Sequence, residues 1–552
     1  MSQGLGRTRS VALSGLDGTV VDVEAHIAQG LPHFAIGGMP DAACAQAPDR
    51  VRSAAATSGV PVPPHRVTVN LSPASIPKRG ACFDLPIAVA VLLAAGVIRG
   101  GLARDVVHLG ELALDGRVRG VHGVLPAVLA AARAGATHVV VPVENVGEAQ
   151  LVDGVTVHGA ESLRDVVDWY AAAEHGTPLP PAPQPAVGDV PTRSGPDLAD
   201  VVGQPEARLA LELAATGGHH LLMSGPPGVG KTMLAERLVT VLPPLSREQA
   251  LETHAIRSLT GQVGEVVELD RTPPFVAPHH GASMAAITGG GTGVVLPGAI
   301  SRAHHGVLFL DEAPEFKGSV LQTLRQPLES GEVVIMRARQ VVRYPARFLL
   351  VLAANPCPCG RSYGKGLDCS CKPMEIRSYA GRLSGPLLDR VDLQVHVPPV
   401  HRAAFGDETG ESSATVAARV AEARRAQRHR WAEHGWATNG LVPGHVLRRP
   451  PFKLPPDATA VLERALEQGR LTLRGYDRVL RVAWSAADLA GLEVPGRDEV
   501  ATGLALRSGE LVAAGVVCPV AAARRDRPAG WSSTSAGRGL RGPSSRSRAT
   551  PA

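Results

Sequence analysis

Gly225-Pro226-Pro227-Gly228-Val229-Gly230-Lys231-Thr232 is the stretch from which the rest of the chain can be read. It follows the apolar run Leu221-Leu222-Met223 and precedes MLAERLVTVL, a sequence with helical character. Strand, glycine loop and helix in that order form the context a phosphate-binding loop requires. Glycines let backbone N–H groups close around phosphate oxygens, and the start of a helix adds partial positive charge. A lysine at position 231 reaches β- and γ-phosphates, and the Thr232 hydroxyl helps to hold Mg²⁺. A chance glycine turn has little standing against this context.

Working outward, Gly306-Val307-Leu308-Phe309-Leu310-Asp311-Glu312 places two carboxylates after four apolar residues. The pattern predicts a buried parallel strand that delivers Asp311 to Mg²⁺ and Glu312 to the attacking water. A further apolar run, 348–354, ends in Asn355. Its amide is placed to orient the lytic water or sense the γ-phosphate, the role called sensor 1 in AAA+ proteins. Arg390, in SGPLLDRVDL, stands where it could reach a neighbouring subunit's γ-phosphate and stabilise transition-state charge. Arg474, in the Thr472-Leu473-Arg474 opening of a helix, is the sensor 2 candidate, with Arg478 one turn on as runner-up. For each arginine a surface salt bridge is the plain alternative. Lys231, Asp311, Glu312, Asn355, Arg390 and Arg474 thus form the expected catalytic set.

At 552 residues the chain is too long for one core. Hydrophobic residues at 44% and charged residues at 19% are ordinary for a globular protein. Of 56 basic residues only six are lysine, a skew that fits the base composition of the source genome better than a function. The net charge of +5 permits a nucleic-acid partner without arguing for one. No run reaches the roughly 18–20 apolar residues of a membrane span. Seven cysteines, four of them clustered, do not suggest a secreted disulfide framework, and the chain reads as cytoplasmic.

Residues 1–170 alternate β-rich runs (67–71, 106–109, 139–142) with helical ones (85–95, 125–134). Residues 171–196 (AAAEHGTPLPPAPQPAVGDVPTRSGP) read as a Pro-rich linker. From 197 to 400 the strand-like HHLLMSG, GVLFLDE, RFLLVLAAN and VDLQVHVP recur at wide spacing, which predicts a parallel α/β sheet. A helical region, 401–510, follows, with helices expected over 416–431, 458–468 and 475–490. Residues 511–552 are expected to form a basic, disordered tail.

The long collinear motifs carry a resemblance. VEAHIAQGLPHFAIGGMPDAA, VTVNLSPASIPKRGACFDLPIAVAVL, GELALDGRVRGVHGVLPA, APHHGAS, PGAISRAHHGVLFLDEAPEF, LRQPLESGEV, NPCPCG and GYDRVLRVA resemble the YifB/ComM family of Mg-chelatase-like AAA+ proteins over about 500 residues. Ala299 and Arg302 depart from the family's usual acidic residue and leucine, and the text after Ser508 departs as well. The resemblance implies a Lon-protease-like, S5-like α+β first domain, a P-loop AAA+ core and a helical lid. It further implies an ATP- and Mg²⁺-dependent homo-oligomeric ring, a hexamer, driving branch migration or helicase action on single-stranded or branched DNA. A peptidase reading of the first domain fails for want of a Ser-Lys dyad, since Lys78 is the only lysine in the first 230 residues. The rivals are a chelatase-like or protein-remodelling ATPase without a DNA substrate, and a non-motor nucleotide switch. No porphyrin partner is expected.

Three clusters remain. Cys357, Cys359, Cys369 and Cys371 suggest structural Zn²⁺ in S₄ coordination, although C-x-C is tighter than the usual C-x₂-C; a reduced loop without metal is the alternative. VVIMRARQVVRYP (333–345) reads as two short strands carrying Arg337, Arg339 and Arg343. By the resemblance this hairpin projects into a ring's channel, where the arginines could grip DNA phosphates; ordinary solvated arginines are the alternative. The pairs His279–His280 and His304–His305 have neither helical spacing nor an evident acidic partner, and are expected to be packing or hydrogen-bonding residues.

Overall fold

The structure is a computed structural model that describes residues 4–99, 101–183, 195–262, 268–291, 294–337, 340–363, 368–383, 385–399 and 410–509. The expected basic tail (511–552) and Arg339 lie outside the described residues.

The first domain is built on a mixed seven-stranded sheet. The long antiparallel pair Gly4–Ser14 and Asp17–Ala28 lies at its centre, and parallel strands His138–Pro142 and Thr156–Ala160 complete one side. Helix Asp84–Ala94 has ten buried residues of its eleven, so it is apolar all round rather than amphipathic. It can lie this close because Gly4 and Gly6 face it: a Cβ at either would come within 1.9 Å of the carbonyl oxygens of Ala94 and Ala90. Helix Leu163–Glu174 closes the domain behind a Ser162/Asp165 capping box. It runs four residues past 170, and Ala182 N–H still bonds back to Val157 O at 2.8 Å. The stretch expected to be linker therefore begins packed on this domain.

The second unit has a five-stranded, all-parallel sheet. Its spatial order is Phe275–Val276, Val307–Leu310, Leu349–Ala354, Leu221–Ser224, Leu393–His396. Because both faces are covered, the central strands read as continuous apolar runs. The strand ending at Ala354 is inserted between the P-loop strand and the acidic strand. That order brings Asn355, Gly225 and Asp311 to neighbouring strand ends, the usual ligand side of an open parallel sheet.

Helices Ser413–Arg430, Pro456–Glu467, Leu473–Ala490 and Arg497–Ser508 form a C-terminal helical domain, with Trp431 and Trp484 in its core. The first domain rests on helix Arg247–Leu259 of the second unit. Ala255 joins its apolar core, Arg247 pairs with Asp153 at 2.8 Å, and Gly123 N–H bonds to Ser258 O at 3.1 Å. Among the described residues no helix is long and apolar enough to cross a membrane.

Candidate nucleotide site

The chain leaves the buried strand Leu221–Ser224 into a loop in which Gly228 (φ +79°) and Gly230 (φ +90°) are left-handed. A side chain at either would strain the turn. Helix Lys231–Val241 starts at once, presenting unpaired N–H groups toward the loop. Lys231, only 7% exposed, folds back to donate to Gly225 O (2.7 Å), Pro226 O (2.9 Å) and Asn355 Oδ1 (3.1 Å). Burial pushes its pKa down, and the nearby carboxylates of Asp311 and Glu312 oppose that shift. Thr232 Oγ1 donates to Asp311 Oδ2 at 2.9 Å. That hydroxyl and carboxylate form a hard oxygen pair of the kind Mg²⁺ takes, so the residues present fit the ion.

Glu312 sits at φ +49°, a left-handed backbone that a residue with a side chain seldom adopts. Its Oε2 lies 3.3 Å from His280 Nδ1. The expectation that the histidine pairs lack acidic partners is therefore corrected. His304 and His305 have one too: both Nε2 atoms meet Glu252 Oε2, at 3.0 and 2.8 Å. These partners are 32, 52 and 53 residues away in sequence, so spacing gave no sign of them. His304 Nδ1 accepts the N–H of Arg347 (3.0 Å), which puts the ring proton on Nε2 and leaves no lone pair there for a metal. The trio is a clasp tying helix Arg247–Leu259 to the approach of the acidic strand. Its two histidines hold the Glu252 carboxyl well below the usual range.

The other expected site residues lie apart from this cluster. Arg390 is bonded within its own chain to Glu329 and to Pro386 O. Arg474 is exposed near the start of helix Leu473–Ala490 and makes no ion pair among the described residues. The runner-up Arg478 is committed to Asp392, at the foot of the last sheet strand.

The four cysteines converge. Sγ separations are 3.4 Å (Cys357–Cys359), 3.8 Å (Cys357–Cys369) and 3.7 Å (Cys359–Cys369), and Cys371 completes a set within 4.8 Å. A tetrahedral S₄ site with Zn–S near 2.3 Å has S–S edges of about 3.8 Å, so the donor set fits zinc. Strands Glu332–Arg337 and Gln340–Pro345 form the expected hairpin. Arg343 pairs with Glu332 at 2.6 Å while Met336 stands 77% exposed near the tip.

Residues 197–405 match the family described as Magnesium chelatase, subunit ChlI. Residues 23–145 match Subunit ChlI of Mg-chelatase, and 410–507 the ChlI C-terminal family. An uncharacterized protein of Mycobacterium tuberculosis (strain H37Rv) is 51% identical over 91% of this chain and 98% of its own length. Competence protein ComM of Haemophilus influenzae is 40% identical over 90% of this chain and 96% of its own. The uncharacterized protein YifB of Escherichia coli K12 is 39% identical over 92% and 97%. The chain belongs to the YifB/ComM family of Mg-chelatase-like proteins. Its parallel-sheet core is consistent with the AAA+ fold, and membership of this AAA+ family fits an ATPase that uses nucleotide and Mg²⁺.

Proposed function

We propose that the chain is an ATP-hydrolysing AAA+ motor that works on DNA as a homo-oligomeric ring, most simply a hexamer in the cytoplasm. One observation carries the nucleotide chemistry: Lys231, Thr232, Asp311, Glu312 and Asn355 meet at adjacent ends of one parallel sheet. The loop from Gly225 to Gly230 cradles the triphosphate and Lys231 neutralises its β,γ end. Thr232 and Asp311 would hold Mg²⁺, which would supply charge neutralisation to the phosphates. Glu312 takes the proton of the attacking water, and Asn355 orients that water or senses the γ-phosphate. Arg390 acts in trans on the neighbouring subunit's nucleotide, exchanging Glu329 for phosphate, and Arg474 serves as sensor 2 on the helical lid. Zinc in the cysteine knot steadies the loop after Asn355.

The DNA half of the reading rests on the arginine hairpin and on kinship to a competence protein. Arg337 and Arg343, with Arg339 outside the described residues, grip phosphates in the channel. The first domain is an accessory, Lon-like module without peptidase chemistry: Lys78 is fully buried and its ammonium donates to Pro73 O. The test is ATPase rate with no DNA, single strands, duplex and a four-way junction. Stimulation lost in Glu312→Gln, and lost with basal rate retained when Arg337, Arg339 and Arg343 become Ala, is expected. Robust turnover indifferent to every DNA would move the assignment to a chelatase-like or protein-remodelling ATPase, the first of which is what the matching family description names.

A further inference from the structure

The cysteine knot lies against the P-loop. A Cβ on Gly360 would come within 2.7 Å of Pro227 Cδ, so the backbone at Gly360, just after Cys359, runs directly on the glycine loop. Gly360 N–H bonds to Cys357 O at 2.9 Å and Ser362 N–H to Cys357 Sγ at 3.3 Å, so the knot sets the path of this backbone. The residues that follow line a cleft of about 620 Å³ together with Gly228 and Gly230. Arg361 and Tyr363 form one wall, and Gln204 and Pro399 stand at other points of the lining.

Among the described residues the side chains of that wall have no bonded partner. Arg361 is exposed and makes no ion pair among the described residues; Tyr363 is 44% exposed. Gln204 is 3% exposed and its Nε2 donates to Val229 O at 2.7 Å, which fixes the amide. Among the described residues its Oε1 is buried without a partner. A buried acceptor left open costs about 1–3 kcal/mol, and a ligand bearing an N–H donor would remove that cost. Such a donor is present on the exocyclic amine of an adenine base. An aromatic face, a free cation beside the phosphate loop and an open acceptor are together the complement of a purine nucleotide.

We propose that the four-cysteine knot is the nucleoside wall of the ATP cleft. Tyr363 covers the base, Arg361 adds charge on the phosphate side, and zinc in the knot holds both in place, so ATP affinity depends on metal occupancy. This rests on the nucleotide half of the function proposed above and is independent of DNA.

The experiment is calorimetric titration of the full chain with ATPγS and Mg²⁺, without DNA, alongside metal analysis of protein purified without added metal. Wild type carries close to one zinc per chain. Tyr363→Ala binds about tenfold more weakly and Tyr363→Phe as wild type, the size expected of one lost aromatic stack. Arg361→Ala weakens binding about threefold. The double variant Cys369→Ser, Cys371→Ser loses zinc and binds as weakly as Tyr363→Ala. Adding Tyr363→Ala to it changes nothing further, because both act through one wall. Tyr363 and Arg361 are surface residues, so their variants report even if the serine variant folds poorly. Wild-type affinity in Tyr363→Ala, wild-type affinity in a zinc-free serine variant, or less than a tenth of an equivalent of zinc in wild type would each overturn the proposal. A chain that binds as described yet ignores DNA would overturn only the motor reading.

Discussion

Among the described residues two lysines are buried, one in each α/β unit, and their surroundings differ in kind. Lys78 of the first domain is fully enclosed and donates its ammonium to the Pro73 carbonyl. Lys231 is nearly as buried but reaches three acceptors, one of them the Asn355 side chain, and faces Asp311 and Glu312. Burial lowers both pKa values. Burial alone therefore does not mark a working lysine. The mark is a second set of polar groups, at the end of a parallel sheet, that a ligand can take over.

The sharpest way to break the comparison is to remove each ammonium. Lys231→Ala should lower ATP turnover by about a thousandfold or more, the scale of losing a main electrostatic stabiliser of transferring phosphoryl charge. Lys78→Met should leave turnover within about twofold, and steady-state phosphate release measures both. A large loss in the second variant would give the first domain a chemical role.

A smaller effect is expected at His280. Glu312 is held on strained backbone with His280 beside its carboxylate. His280→Ala should reduce kcat about tenfold with KM for ATP unchanged, and His280→Gln should recover most of it. A change in KM alone would mean that the histidine shapes binding instead.

The first domain titrates through a different group. His108 is fully buried between the hydroxyls of Thr8 (2.9 Å) and Tyr170 (2.8 Å), and burial pulls its pKa down to about 3. Its folded pKa lies below the unfolded value near 6.5. The stability tied to its neutral ring is thus complete above about 6.5 and is lost as pH falls toward 3, on the order of 5 kcal/mol in total. Hydrogen exchange in strand Val107–His108 and helix Leu163–Glu174 should rise across that window, and less so in His108→Gln. The smallest effect is thermal: Lys78→Met should melt within about 2 °C of wild type or above it, since a buried ammonium with little pairing is costly to keep.

Much of the second unit was legible in the sequence because its signals are local. Glycine loop, apolar strand plus acids, and apolar strand plus Asn355 each occupy a few consecutive residues, and the parallel sheet merely aligns their ends. His280 with Glu312, and Glu252 with His304 and His305, were illegible because loops and crossovers make those contacts across 32 to 53 residues. Arg390 and Arg478 show the converse. Their positions along the chain suggested phosphate contacts, yet in the isolated chain they bind Glu329 and Asp392, and sequence order cannot tell a resting partner from a working one.

The left-handed backbone at Glu312 sets two kinds of selection against each other. Glycine would relax that conformation, and asparagine tolerates it better than glutamate, so either replacement should make the fold slightly more robust while ending turnover. On the catalytic role proposed for Glu312, a lineage freed from the need to turn over nucleotide would have a downhill mutational step waiting at this position.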